Sequence, residues 1–206
     1  MRKAAQGAGL SWGLAEEAGK CAQALCAAGS HYIETISGVL EAQHSGELSA
    51  QIAAHGSNWR SIDGLPLSPL VLGPAISDHA FLVGEGTLRI EEAISQPALL
   101  LPFLVAASRR LARVLRVKTD AGEFFCAQQR WPDVAKSVFP DRIRWLEISP
   151  AATQSSNLSQ KSKPSLDVGI SNEARARLER LAALTYVSSS ERSRASGAGA
   201  GLNDND

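Results

Sequence analysis

Leu10-Ser-Trp-Gly-Leu-Ala-Glu-Glu-Ala-Gly-Lys-Cys-Ala-Gln-Ala-Leu-Cys26 is the stretch from which the fold class is read. Within it Leu14, Ala18, Cys21 and Leu25 recur at spacings of four, three and four, which on an α-helix puts them along one face. The spacing predicts a helix over Leu10 to Ala28. Ser11 is placed to accept a backbone N–H of the first turn. Glu16 and Glu17 lie near the positive end of the helix dipole, and Gly29 supplies a stop. A second helix is expected over Tyr32 to Gln43, with Ile33, Ile36, Val39 and Leu40 inward, so the chain opens as a helical hairpin.

Beyond this hairpin the pattern changes to short extended pieces. Asp63-Gly64, Pro66, Pro69, Gly73 and Pro74 punctuate the segment from Trp59, leaving Leu70-Val71-Leu72 as an expected strand. Phe81-Leu82-Val83 and Leu88-Arg89-Ile90, on either side of Gly84-Glu85-Gly86, read as a hairpin. Pro102 is suited to open a helix running to about Arg113. Leu115 and Val117 alternate with Arg116 and Lys118, and the turn Asp120-Ala121-Gly122 leads into Phe124-Phe125-Cys126, a second hairpin. Ile143 to Ile148 adds a further strand. Residues 153–165 are rich in Ser, Gln, Asn and Lys and read as a polar linker or loop. After it, Ala174, Leu178, Leu181 and Ala182 mark the packing face of a helix over Glu173 to Leu184. Ser188 and Glu191 have capping-box spacing. The expected architecture is α+β: a body over residues 1–152 with central short hairpins in an antiparallel sheet, a helical segment over 166–196 packed on it, and a flexible Gly-rich acidic tail over 197–206.

Composition narrows the function classes. The 206 residues are 44% hydrophobic, enough for a core that needs no disulfide or metal staple. Lys plus Arg and Asp plus Glu both number 21, which argues against a protein built to neutralise phosphates, and so against nucleic acid. Cys21, Cys26 and Cys126 are sparse and odd in number, the pattern of small buried hydrophobes in a reducing compartment. No run approaches the ~18 apolar residues of a membrane-spanning helix, and Met1-Arg2-Lys3 is followed by no apolar core of a secretion signal. These features lead us to expect a cytoplasmic protein without a membrane partner.

Several constellations suggest chemistry, and each has a plainer reading. Gly7-x-Gly9-x-x-x-Gly13 resembles a phosphate cradle, but no strand precedes it as a dinucleotide fingerprint requires, leaving an entry turn to a packed helix. Glu16 could act as an acid or base if buried beside a partner; it also stands four residues before Lys20, an ordinary solvated pair. His31, His44, His55 and His79 show no metal-ligand spacing. Cys21 and Cys26 point about 140° apart on a helix, which is wrong for a shared zinc. Ser77-Asp78-His79 has the residue types of a hydrolytic triad, whose members rarely sit side by side; Ser77 reads as a helix cap instead. Arg109, Arg110, Arg113, Arg116 and Lys118 form a basic cluster for which a solvated face is the ordinary account. No cofactor is implied.

Four motifs carry a family resemblance. Lys3-Ala-Ala-Gln-Gly-Ala-Gly-Leu-Ser-Trp-Gly-Leu-Ala-Glu-Glu-Ala-Gly19 is similar to the opening of an uncharacterised bacterial family, a domain of unknown function. Asp63-Gly-Leu-Pro-Leu-Ser-Pro69 and Leu99-Leu-Leu-Pro-Phe103 fit the same family. So does the ending, from Thr185-Tyr-Val-Ser-Ser-Ser-Glu-Arg192 to Gly197-Ala-Gly-Ala-Gly-Leu-Asn-Asp-Asn-Asp206. Members tend to have proline where Ser188 stands and cysteine where Ser68 stands. The resemblance implies kinship and no reaction.

Two readings follow. In the first, the protein binds or converts a small molecule in a pocket between its N- and C-terminal segments, with Trp12, Glu16, Tyr186, Ser189, Glu191, Arg192 and Asp204 as candidate residues. In the second, it is a non-catalytic subunit or assembly factor that offers its helices to a protein partner.

Overall fold

A computed structural model describes residues 1–26, 32–127, 140–151 and 169–186. Its architecture is α+β in three layers. A six-stranded sheet forms one side, two helices lie in the middle, and four helices form the other side.

The outer helical layer comprises α1 (Arg2–Gly7), α2 (Trp12–Cys26), α3 (Tyr32–His44) and α7 (Asn172–Ala183). As the spacing predicts, Ala18, Cys21 and Leu25 are buried on α2, and Ile33, Ile36, Val39 and Leu40 on α3. Ser11 Oγ accepts the Leu14 N–H at 3.5 Å. Helix α7 is also where the pattern puts it, capped by Ser171, whose Oγ accepts the Ala174 N–H at 3.2 Å. Helix α1 is an addition to the expected elements: it precedes the glycine-rich entry turn, of which Gly7 ends the helix while Ala8 and Gly9 turn the chain into α2. A Cβ on Gly7 would lie 1.8 Å from the Leu181 carbonyl oxygen, so the bare glycine lets α1 press against α7 backbone to backbone. The two helices run antiparallel, with Gly7 on Leu181 and Lys3 beside Tyr186. Helix α1 thus packs beside the expected pair α2 and α3, and α7 joins them from later in the chain.

The middle layer is α4 (Pro69–Asp78) and α6 (Leu101–Leu111), the latter preceded by a 3-10 turn at Pro97–Leu100. Leu72, Ile76, Leu101 and Leu104 face the sheet, while Leu70, Val71 and Phe103 face the outer helices. This two-sided burial corrects the expected strand at Leu70–Leu72. An apolar run buried on both faces has no period, and Pro69 at the first helical position decides for helix. Gly73 permits the α4–α6 approach, since a Cβ there would meet the Phe103 ring at 2.2 Å. The expected hairpin over Phe81–Ile90 is corrected too. Its first half is a short helix, α5 (Ala80–Glu85), with Ala80 and Val83 buried three residues apart.

The sheet contains β1 (Ile52–His55), β2 (Asn58–Ser61), β3 (Leu88–Ile90), β5 (Leu115–Thr119), β6 (Gly122–Cys126) and β8 (Leu146–Pro150), in the order β1-β2-β3-β8-β5-β6. A separate ladder pairs β4 (Ile94–Ser95) with β7 (Arg142–Ile143). The β5–β6 hairpin is in the predicted place. The sheet is mixed rather than antiparallel throughout, because β2 and β3 pair in parallel. Its inner positions, among them Leu115, Val117, Leu146 and Ile148, are buried, and Arg89, Arg116, Glu123 and Glu147 alternate outward as ion pairs. That is the ordinary division of a sheet covered on one face. The predicted linker, the Ser188–Glu191 capping box and the tail lie outside the described residues.

Candidate functional site

Among the described candidate residues, Glu16 lines a concave surface shared with other side chains. Helix α2 turns Ala15, Ala18, Ala22 and Leu25 into the core, which leaves Trp12, Glu16, Gly19, Lys20 and Gln23 on a stripe facing away. Helix α1 lies along that stripe. Together they bound an open groove of about 390 Å³ lined by Met1, Arg2, Glu16, Gly19, Lys20 and Gln23. Gly19 shapes its floor, since a Cβ there would sit 3.0 Å from Arg2 Cγ.

Arg2 Nη1 donates to Glu16 Oε1 at 3.4 Å, a long contact beside the 2.7–2.9 Å of a strong charge-assisted bond. Lys20 Nζ donates to Glu17 Oε1 at 2.7 Å. This bond, with the field of the same carboxylate, raises the Lys20 pKa above its ordinary value. Glu16 thus pairs across the groove with Arg2, and Lys20 pairs with Glu17 along its own helix. The groove offers an acceptor, a guanidinium, an ammonium and an amide to one small volume.

Trp12 stands one turn before Glu16 on the same face of α2, with 65% of its surface exposed. Tyr186 lies on the far side of α1. Its hydroxyl accepts from Lys3 Nζ at 3.2 Å, and the same ammonium sits 4.4 Å from the ring centroid, a cation–π contact. Because Lys3 follows Arg2, the N-terminal turn of α1 links Glu16 on one flank to Tyr186 on the other. The walls of the groove, however, both come from residues 1–23. Ser189, Glu191, Arg192 and Asp204 lie outside the described residues. Sequence reasoning missed Arg2, Gly19, Lys20 and Gln23. The available signal was that Gly19 and Gln23 stand seven and eleven residues after Trp12, on the helix face opposite the apolar one.

The remaining constellations resolve into structural roles. Ser77 and Asp78 end α4 instead of opening a helix, which corrects the expected cap. His79 Nδ1 lies 3.0 Å from the Ala75 carbonyl oxygen, and Asp78 is 3.9 Å from Arg110. The basic cluster does not share a helical face, since α6 stops at Leu111 and Arg116 belongs to β5. Arg110 donates to the Ser77 carbonyl and Arg113 to the Gly84 carbonyl at 3.4 Å. Both arginines therefore cap the last turns of α4 and α5, whose carbonyls have no partner within the helix. Arg116 pairs with Glu123 at 2.8 Å. The three cysteines are unbridged. Cys21 Sγ lies 3.5 Å from the Leu99 carbonyl oxygen, and burial pushes its pKa up to about 12. Burial also raises the Cys126 thiol. Neither is a nucleophile at neutral pH. Among the described residues no three His, Cys, Asp or Glu side chains converge as a metal site would require, and no helix is long and apolar enough to cross a membrane.

The opening segment is also where a likeness to known proteins is found. Residues 1–67 match the family model described as Protein of unknown function (DUF3726). That span includes every residue lining the groove, together with α1, α2, α3, β1 and β2. No curated protein and no solved structure matches the chain. The matched residues complete their packing only with later ones, since β2 pairs with β3 and Gly7 rests on Leu181.

Proposed function

We propose that this protein binds a small polar molecule in the groove between α1 and α2. The observation that carries the reading is the convergence of Glu16, Arg2, Lys20 and Gln23 on about 390 Å³, a volume within the range of ligand sites. Glu16 accepts a donor of the ligand, Arg2 and Lys20 engage its acceptors, and the exposed Trp12 ring offers a stacking surface at one end. The setting that fits is the bacterial cytoplasm, supported by three unbridged cysteines. Nucleic acid is not the ligand proposed, because Arg110 and Arg113 cap helices and Arg116 pairs with Glu123.

The second reading, a non-catalytic subunit, draws support from Leu184 and Tyr186, which are 57% and 62% exposed at the end of α7. Clustered exposed apolar side chains of this kind favour a protein partner. A thermal-shift screen of the full chain against amino acids, nucleotides and sugar phosphates separates the two. Compounds that raise the melting temperature of the wild-type protein lose that effect in Glu16→Ala and Lys20→Ala if the groove is the site. An absence of such compounds, or compounds equally effective on both variants, overturns the groove reading.

A further inference from the structure

We propose that α7 is a releasable clasp, a helix that opens from α1 and α3 as a unit while the rest of the fold stays closed. Its apolar anchoring is slight. Of its twelve residues only Ala174 and Leu181 are buried, with Leu178 and Ala182 partly so. In the sheet, by contrast, Leu115, Val117, Leu146 and Ile148 are all buried in one continuous cluster. The Gly7–Leu181 apposition brings two backbones together without a layer of interdigitating side chains between them. Segments with few buried apolar contacts open at lower free energy than the core.

A charged node adds to these few apolar contacts. Glu41 on α3 accepts from Arg177 Nε at 3.0 Å and also from Arg180, and Arg177 pairs in turn with Glu173. The Arg180 side chain is 58% exposed and Glu41 41%, so solvent and salt screen this attraction. Lys3 with Tyr186 adds one further polar contact at the end of the helix. The clasp therefore leans more on screened charge than the sheet does, whose outward ion pairs lie over a continuous buried apolar cluster. Its release would free one flank of α1, the helix that forms a wall of the groove. This holds whatever the groove binds.

Hydrogen exchange of the full chain, read by mass spectrometry, tests the clasp at about 50 mM and about 0.5 M NaCl, conditions that shorten the screening length severalfold. The expected result is that amides of residues 172–183 exchange at least tenfold faster than those of β5 and β8 in low salt. High salt accelerates them roughly two- to fivefold further, the range expected from losing exposed ion pairs. Glu41→Gln should reproduce the high-salt rate in low salt and remove most of the salt response, and Arg180→Gln should do so in part. The proposal is overturned if α7 exchanges at the same rate as β5 and β8 in every condition. It is equally overturned if salt and both substitutions leave α7 exchange unchanged.

Discussion

Substituting Gly7 by alanine puts the packing of the two chain ends to a sharp test. The added Cβ would lie 1.8 Å from the Leu181 carbonyl oxygen and 2.7 Å from its carbon. Relaxing to an ordinary carbon–oxygen contact of roughly 3.3 Å requires α1 and α7 to part by about 1.5 Å. Leu181 and Ala174 are the buried anchors of α7, and a radial gap of even ~1 Å forfeits up to about half of each contact. Overpacking of this kind costs about 1–3 kcal/mol. The helical preference of alanine over glycine returns at most about 1 kcal/mol. A net loss of about 1–2 kcal/mol is expected, and at ~2–4 °C per kcal/mol for a chain of this size the melting temperature falls by roughly 2–8 °C. Gly13→Ala is the control. Nothing lies within 4 Å of its Cβ, so only the helix preference operates and stability rises slightly. Urea denaturation followed by circular dichroism measures both, and trypsin cleavage at Arg175, Arg177 and Arg180 reports whether α7 has lifted away. If Gly7→Ala is as stable as Gly13→Ala and α7 resists trypsin equally, the close approach of the two helices is refuted.

Three other substitutions probe separate sites. Ala112 closes α6 with φ 52° and ψ 33°, a left-handed conformation worth roughly 1–2 kcal/mol of strain to an L-residue; Ala112→Gly should stabilise by about 0.5–1 kcal/mol after glycine's entropic cost, and a destabilised variant in urea would contradict the geometry. Ser68 is fully buried ahead of α4 with its hydroxyl unpartnered, a penalty of about 1–3 kcal/mol. Ser68→Cys, which places a small apolar thiol there, should be more stable by about 1 kcal/mol, and a loss of stability would mean that the hydroxyl is bonded. Asp120 accepts from Arg144 Nε at 2.8 Å and from the Arg144 backbone N–H at 3.0 Å, and these bonds hold its carboxyl below the ordinary 3.8. A depressed folded value means that the contribution is complete above pH 3.8 and disappears as pH falls through the folded value. Wild type should therefore lose more stability than Asp120→Asn on acidification through that window, and parallel curves would exclude the pairing.

The parts of the fold that were legible are those with one wet face and one dry face. Helices α2, α3 and α7 and the β5–β6 hairpin each present buried side chains at the period of their own geometry, so Leu25, Leu40, Leu181 and Val117 announce themselves. Helix α4 did not, because the middle layer is covered on both sides and Leu70-Val71-Leu72 carries no polar residue to mark a period, and the six residues of α5 are too few to show one. Strands β1 and β2 were hidden by Ala53 and Ala54, weak strand formers, although the two-residue Gly56-Ser57 loop between them is a hairpin signal. Helix α1 reads as a loop because its decisive residue, Gly7, is explained by Leu181, which lies 174 positions away. Of the residues that line the groove, Glu16 alone was legible. It stands out on a helix whose other face is apolar, whereas Arg2 joins it only once α1 is known to be helical and pressed against α2.

The backbone contact between α1 and α7 supports the wall of the groove, and a nuclear Overhauser effect observes it without any substitution. In the assigned spectrum of the full chain, the Gly7 Hα protons should show a cross-peak to Leu181 Hα, accompanied by contacts between the Lys3 side chain and the Tyr186 ring. A spectrum in which both helices are assigned and neither set of cross-peaks is present would contradict it, separating the ends of the chain and leaving α1 without the support that shapes the groove.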